Sequence, residues 1–139
     1  MVREGPVKFD GRIRGPKQVA ELATQFLEGE PVEVFGVAYL NTQYKPIHIE
    51  AISRGILDAS LVHPREVFRG AILTNAAAVI LFHNHPSGET NPSREDIAVT
   101  RQIKKAGEVV GIPLLDHIII DQRGGFYSLE ERGCMHGPY

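Results

Sequence analysis

Two histidines one residue apart, His83 and His85, close an apolar run, and a carboxylate, Asp96, follows eleven residues after the second. The run Ala78 to Phe82 is of the kind that forms a buried strand. Strand side chains two apart share a face, so both imidazoles address one side. Pro86, Ser87 and Gly88 stop the strand, and Pro92-Ser93 opens a helix with Asp96 in its first turn. Two imidazoles and a carboxylate with one position left open suit a catalytic rather than a structural zinc. The spacing has a second reading. Ser93 stands where an N-cap would, and Asp96 where a capping box places its carboxylate, which needs no metal. A cap accounts for those two residues but not for two histidines facing one loop. Zinc hydrolysis also needs an unligated carboxylate beside the water, to take its proton and pass it to the leaving group. Glu33 is the candidate, with Glu50 and Glu30 behind it; the other reading of Glu33 is a strand-end carboxylate in water.

The elements that must position these residues follow from periodicity and turn signals. Residues 1–15 are rich in Gly, Arg and Lys, show no period, and read as a flexible lead-in. Pro16-Lys17 starts a helix whose buried face is Val19, Leu22, Ala23, Phe26 and Leu27, ended by Gly29. Pro31 to Leu40 and Pro46 to Ser53 read as two strands of an antiparallel hairpin. On the first, Val32, Val34, Gly36 and Ala38 share one face, and Glu33, Phe35, Val37 and Tyr39 the other. Ile56 to Val62 is expected to hold a short strand. A helix follows from His63-Pro64-Arg65-Glu66 to about Asn75, with Val67, Phe68, Ala71 and Ile72 inward. His63, before a proline, reads as a packed or capping residue rather than a ligand.

Ser93 to about Val110 reads as a helix, although Ile97, Thr100, Ile103, Lys104 and Ala106 only partly keep its period. Ile112 to Ile120 has strong strand propensity, 121–125 is a turn, and Phe126 to Leu129 a last short strand. The end, 130–139, is polar and expected to fray. Asp116 and His117 are strand neighbours that face opposite ways and cannot both address one site. They read as one buried, hydrogen-bonded residue and one surface residue. Cys134 and His136 have no further ligands nearby to make a metal site. Alternating helices and strands with one hairpin predict an α/β sandwich with a mixed sheet.

At 139 residues the chain is long enough for one domain with a real core. A formal net charge of -2 gives no general pull toward nucleic acid, and the locally basic first seventeen residues read as a solvated arm. Cys134 is the one cysteine, so no internal disulfide forms, which fits a reducing, cytoplasmic compartment. The N-terminus lacks the apolar core of a signal peptide, and no run approaches transmembrane length.

Three separated stretches, Glu33-Val34-Phe35-Gly36, His83-Asn84-His85-Pro86 and Ser93-Arg94-Glu95-Asp96, resemble the JAMM motif of JAB/MPN-type metalloproteases. More closely, Ser53 to Phe68, His83 to Gly88, Pro92 to Ile103 and Gly111 to Ile120 resemble the bacterial RadC family, and specifically its C-terminal JAB-like domain. The resemblance spans residues 17 to 132 and implies a cytidine-deaminase-like or JAB/MPN three-layer sandwich with a mixed sheet flanked by helices. That gives a lead-in 1–15, a RadC-like domain 16–132 and a tail 133–139. It implies one zinc held by His83, His85 and Asp96. It implies Glu33 as the general acid/base, which sets aside Glu50, and Ser93 as the residue stabilising the oxyanion. The reaction implied is hydrolysis of the amide bond of a peptide or protein substrate, peptide or isopeptide.

The chain shows two departures from the family pattern. The helix-hairpin-helix domain that RadC-family proteins usually carry has no counterpart in these residues. The acidic-Pro-Thr usual between the PSG and PS elements is Glu89-Thr90-Asn91, a change expected to alter loop stiffness and touch no ligand. The competing functions are an accessory of DNA repair or recombination without hydrolase activity, and a binding module that keeps the fold alone. Against the first stands the acidic balance, which does not indicate a nucleic-acid partner; against the second, the complete set of Glu, two His, Ser and Asp. His83-Asn84-His85 is not an HNH nuclease signature, whose residues are scattered over a ββα-metal hairpin.

Overall fold

A computed structural model describes residues 4–5, 11–55 and 62–136. In chain order these form β1 (Glu4–Gly5), α1 (Pro16–Phe26), β2 (Val34–Leu40), β3 (Pro46–Arg54), α2 (Pro64–Leu73), β4 (Ala78–Asn84), α3 (Arg94–Val110), β5 (Leu114–Ile120) and β6 (Phe126–Ser128). The six strands make one mixed sheet in the order β1-β3-β2-β4-β5-β6. β2 pairs antiparallel with both β3 and β4, and β4 runs parallel to β5. Central strands β2 and β4 are buried along their whole length, as expected of a sheet covered on both faces.

The predicted alternation on β2 holds. Phe35, Val37 and Tyr39 join Val79 and Leu81 of β4 against Val67, Phe68 and Ala71 of α2 and Val99 and Ile103 of α3. Val34, Ala38 and Leu40 join Ile80 and Phe82 against Val19, Leu22 and Ala23 of α1. The molecule is therefore a three-layer α/β sandwich, one helix on one face and two on the other, consistent with a JAB/MPN-like fold. None of the described helices is long and apolar enough to cross a membrane.

Several expectations need correction. Ile72 is not part of the inner face of α2; it is 66% exposed. His63 occupies the N-cap position of α2 but is exposed and makes no side-chain cap. The buried face of α3 is Asp96, Val99, Thr100, Ile103 and Gly107, a regular stripe that is hard to see because three of the five are not apolar. The segment expected to fray is held in place as far as it is described. Met135 is buried, and the Arg101 guanidinium donates to the carbonyls of Cys134 (3.1 Å) and His136 (2.9 Å). The short strand expected over 56–62 falls on 56–61, outside the described residues; Val62 is buried without being in a strand.

One irregularity matters for the site. Val79 pairs with Leu114, but Ile80 pairs with Asp116, so Leu115 is an extra residue in β5. A bulge of this kind moves every later side chain to the other face. It puts His117 beside Leu81, on the face that carries His83.

Candidate metal centre

His83 is the last but one residue of β4 and fully buried; His85 lies one residue beyond the strand and is half-buried. The His85 N–H donates to the Ile120 carbonyl at 3.0 Å, which ties the departing loop to the end of β5. The loop then turns sharply. The Gly88 N–H donates back to the His85 carbonyl at 3.0 Å, with Gly88 at φ +92°, a conformation that favours glycine. The turn carries the Glu89 carbonyl to His85, whose Nδ1–H donates to it at 2.6 Å. Glu89 thus touches a candidate ligand through its backbone, contrary to expectation. Because a carbonyl only accepts, His85 Nδ1 carries the proton of this contact, and in the neutral ring Nε2 keeps a lone pair.

α3 delivers the carboxylate. The Asp96 N–H donates to Ser93 Oγ at 3.0 Å, and the Ser93 N–H donates to the Asp96 carboxylate at 2.8 Å, a complete capping box. The cap does not compete with convergence on the histidines. Asp96 Oδ1 lies 3.6 Å from His83 Nε2, Oδ2 lies 3.6 Å from His85 Nε2, and the two Nε2 atoms are 2.8 Å apart. One ligand atom from each of the three residues lies within 4.8 Å of the other two.

The electrostatics ask for positive charge at this point. Burial opposes ionisation of Asp96, but the neighbouring imidazoles of His83 and His85 and the Ser93 N–H together hold its carboxyl far below the usual carboxylate range. The first turn of α3 favours the anion as well. The Asp96 carboxylate raises the His85 pKa against the effect of burial, with the Glu89 carbonyl and the negative charges of Asp96 and Glu33 adding to it. Two ring nitrogens in contact beside a carboxylate are satisfied by a cation, or by a proton shared between the rings. Imidazole nitrogen and carboxylate oxygen are borderline donors that suit zinc, and three protein ligands leave a coordination position free. The residues fit a zinc ion.

Glu33 stands immediately before β2. Phe35 pairs with His83 in antiparallel register, which brings the entry to β2 beside the end of β4 and its histidines. Glu33 is half-buried, and its charge is felt at His85. Ser93 is exposed. Glu50 lies away from the centre, against the Tyr39 hydroxyl at 3.2 Å, and Glu30 pairs with Arg54 at 3.0 Å.

Residues 13–134 match the family described as the RadC-like JAB domain. The chain belongs to that family. It is 48% identical over 122 residues to a UPF0758 protein of Symbiobacterium thermophilum, covering 88% of this chain and 52% of that one. It is likewise 48% identical over 124 residues to a UPF0758 protein of Alkaliphilus metalliredigens, covering 89% and 53%. A UPF0758 protein of Shouchella clausii is also 48% identical, over 121 residues, with 87% and 52% covered. The chain spans about half the length of the curated relatives it matches.

The RadC-like JAB domain contains supporting residues that sequence reasoning missed. His117, expected to be one half of a buried-and-surface pair with Asp116, is fully buried, and Asp116 is buried too. His117 Nε2 lies 2.7 Å from His83 Nδ1, and its Nδ1 lies 2.6 Å from Thr100 Oγ1. Asp116 turns away to Ser128, whose hydroxyl donates to it at 2.7 Å, so the two neighbours do not share the site. Asn84, between the histidines, reaches across to the entry of β2. The sequence signal for His117 was its place in the family-like run; the bulge that aims it was invisible. Cys134 and His136 take no part in the centre: the thiol is near the Tyr127 hydroxyl at 3.4 Å, and His136 near Glu130 at 3.2 Å.

Proposed function

We propose that this RadC-like JAB domain is a zinc-dependent metallohydrolase that cleaves an amide bond in a peptide or protein substrate. The observation that carries the proposal is the meeting of His83 Nε2, His85 Nε2 and the Asp96 carboxylate at one point, beside the strand entry that holds Glu33. His83, His85 and Asp96 would hold the metal. Zinc, when bound, supplies Lewis acidity for a carbonyl and brings the pKa of water toward about 7.

The residues of the chain do the rest. Glu33, unligated and at the edge of the centre, takes the proton of the attacking water and delivers it to the leaving nitrogen. Ser93 Oγ accepts from Asp96 N–H and keeps its own proton to donate. That proton is aimed at the charge that develops on the carbonyl oxygen. The buried imidazole of His83 and the tied loop of His85 hold the ligands to one geometry before substrate arrives.

The test is metal analysis of the purified protein together with cleavage of a peptide library. One zinc per chain is expected, lost in both His83→Ala and Asp96→Ala. Glu33→Gln keeps the metal and loses hydrolysis by about 10²–10⁴-fold, the usual weight of general acid–base catalysis. Full metal occupancy in either ligand variant overturns the ligand assignment, and undiminished turnover in Glu33→Gln removes Glu33 as the base.

A further inference from the structure

The end of β3 carries a group that the proposed chemistry does not use. Ser53 Oγ is shut off from solvent and is the one buried side-chain polar atom without a hydrogen-bond partner among the described residues. A buried hydroxyl that makes no bond is costly, and native structures carry few of them.

Strand register places this hydroxyl. Gly36 pairs with Ala51, but Phe35 pairs with Ser53, so Ile52 is an extra residue in β3. The bulge sets Ser53 opposite Phe35, and Phe35 pairs on its other side with His83. Cross-strand partners share a face, so Ser53 stands on the face of the candidate centre. Glu33 lies two residues before Phe35, and its charge is felt at His85, which puts its carboxylate on that face as well. Ser53 and Glu33 are therefore diagonal neighbours across the strand pair, a span that a glutamate side chain covers. The backbone that carries them is tied on both sides. The Gly55 N–H donates to the Glu33 carbonyl at 3.0 Å, and the Arg54 guanidinium meets the buried Glu30 carboxylate at 3.0 Å.

Two carboxylates flank Ser53 on this face. Glu50, which pairs with Val37, is engaged by the Tyr39 hydroxyl at 3.2 Å. The Glu33 carboxylate has no hydrogen-bond partner among the described residues and is the acceptor left to Ser53. We propose that Ser53 is a positioning residue for Glu33. When Glu33 turns inward to the attacking water, the Ser53 hydroxyl bonds one carboxylate oxygen and leaves the other to take the proton. A hydroxyl donates to a carboxylate and accepts from a carboxylic acid, so the contact survives both halves of the proton relay. An acid–base group held by one oxygen acts through the other without a search of rotamers, which is how orientation contributes to rate. The inference rests on the reading of Glu33 as the base.

The experiment uses the full chain with zinc present and with ¹³C-labelled glutamate. The carboxylate resonance of Glu33, identified by its loss in Glu33→Gln, is expected to move in Ser53→Ala. Peptide cleavage in Ser53→Ala is expected to lose about 10–100-fold in kcat, the weight of a misaimed group, while KM and zinc affinity stay at their wild-type values. The urea midpoint of the metal-free variant is expected to equal or exceed that of wild type, because a methyl group replaces an unbonded hydroxyl. Wild-type kcat in Ser53→Ala, or an unmoved Glu33 resonance, overturns the inference. A lowered midpoint with unchanged kcat marks a merely structural serine and overturns it too. A moved resonance in a protein that cleaves no peptide supports the contact and overturns the hydrolase reading instead.

Discussion

The side-chain oxygen of Asn84 accepts the backbone N–H of Val34 at 2.7 Å, across fifty residues of sequence. Its amide nitrogen donates to the Val32 carbonyl at 3.0 Å, so one carboxamide grips the chain on both sides of Glu33. The residue between the two histidines thus fixes the backbone of the proposed base. Asn84→Ala leaves a buried N–H unpaired and is expected to cost about 1–3 kcal/mol of stability. Turnover should fall further than zinc occupancy, because the ligands stay in place while Glu33 is released. Denaturant titration, metal analysis and peptide cleavage separate these effects; full turnover in the variant would show that Glu33 is held by other contacts.

Removal of metal should soften the whole domain, since the centre joins the end of β4 to the start of α3. A ligand present at a hundred times its Kd stabilises by about 2.7 kcal/mol. For a chain of this size that corresponds to a rise in Tm of roughly 10 °C. Thermal scans with zinc and with chelator are expected to differ by that order in wild type and to coincide in Asp96→Ala. Equal Tm values in wild type would mean that the centre holds no metal in the folded state.

Packing makes a separate prediction at Gly107. A Cβ there would stand 2.5 Å from the Ile112 backbone oxygen and 3.2 Å from the Phe68 ring. Helix α3 can lie this close to the approach to β5 because Gly107 has no side chain. Alanine is the better helix former by about 1 kcal/mol, but here the clash with backbone outweighs it. Gly107→Ala is expected to destabilise by about 1–3 kcal/mol in urea titration. A stability gain would show that the Ile112 turn yields easily.

Asp116 is expected to leave a signature in the pH dependence of stability. Burial raises its pKa above the ordinary 3.8, although the Ser128 hydroxyl and the N–H groups of Glu130 and His117 act to lower it. The folded protein therefore holds this proton to higher pH than the unfolded chain does. The resulting stabilisation is complete below the unfolded value and is lost as pH rises through the folded one. Asp116→Asn does not titrate. Its stability relative to wild type should improve as pH rises from about 4 toward neutrality. Urea midpoints of both proteins across that range test the sign, and a difference that does not change with pH would contradict it.

Much of this was legible in the chain because it is local. A run of five apolar residues, a proline-serine-glycine stop and a serine-to-aspartate cap each act within a turn or two, and the structure contains all three where expected. Periodicity placed Phe35, Val37 and Tyr39 on one face of β2, and the resemblance to the RadC family pointed to Glu33 from forty-odd residues away. Periodicity failed where a buried face is polar. The inner stripe of α3 includes Asp96 and Thr100, which are buried because they bond to the centre and its supports.

What the amino-acid sequence determined by itself, then, is the set of chemically competent residues and the elements that carry them. What only the tertiary structure decided is which of them meet. The antiparallel register that sets Phe35 against His83 lays the entry to β2, where Glu33 stands, beside the end of β4, and a single extra residue at Leu115 turns His117 rather than Asp116 toward the face of His83. Register and bulge are settled by contacts between strands distant in sequence, and a shift of one residue reverses every side chain, so no local pattern could have specified either.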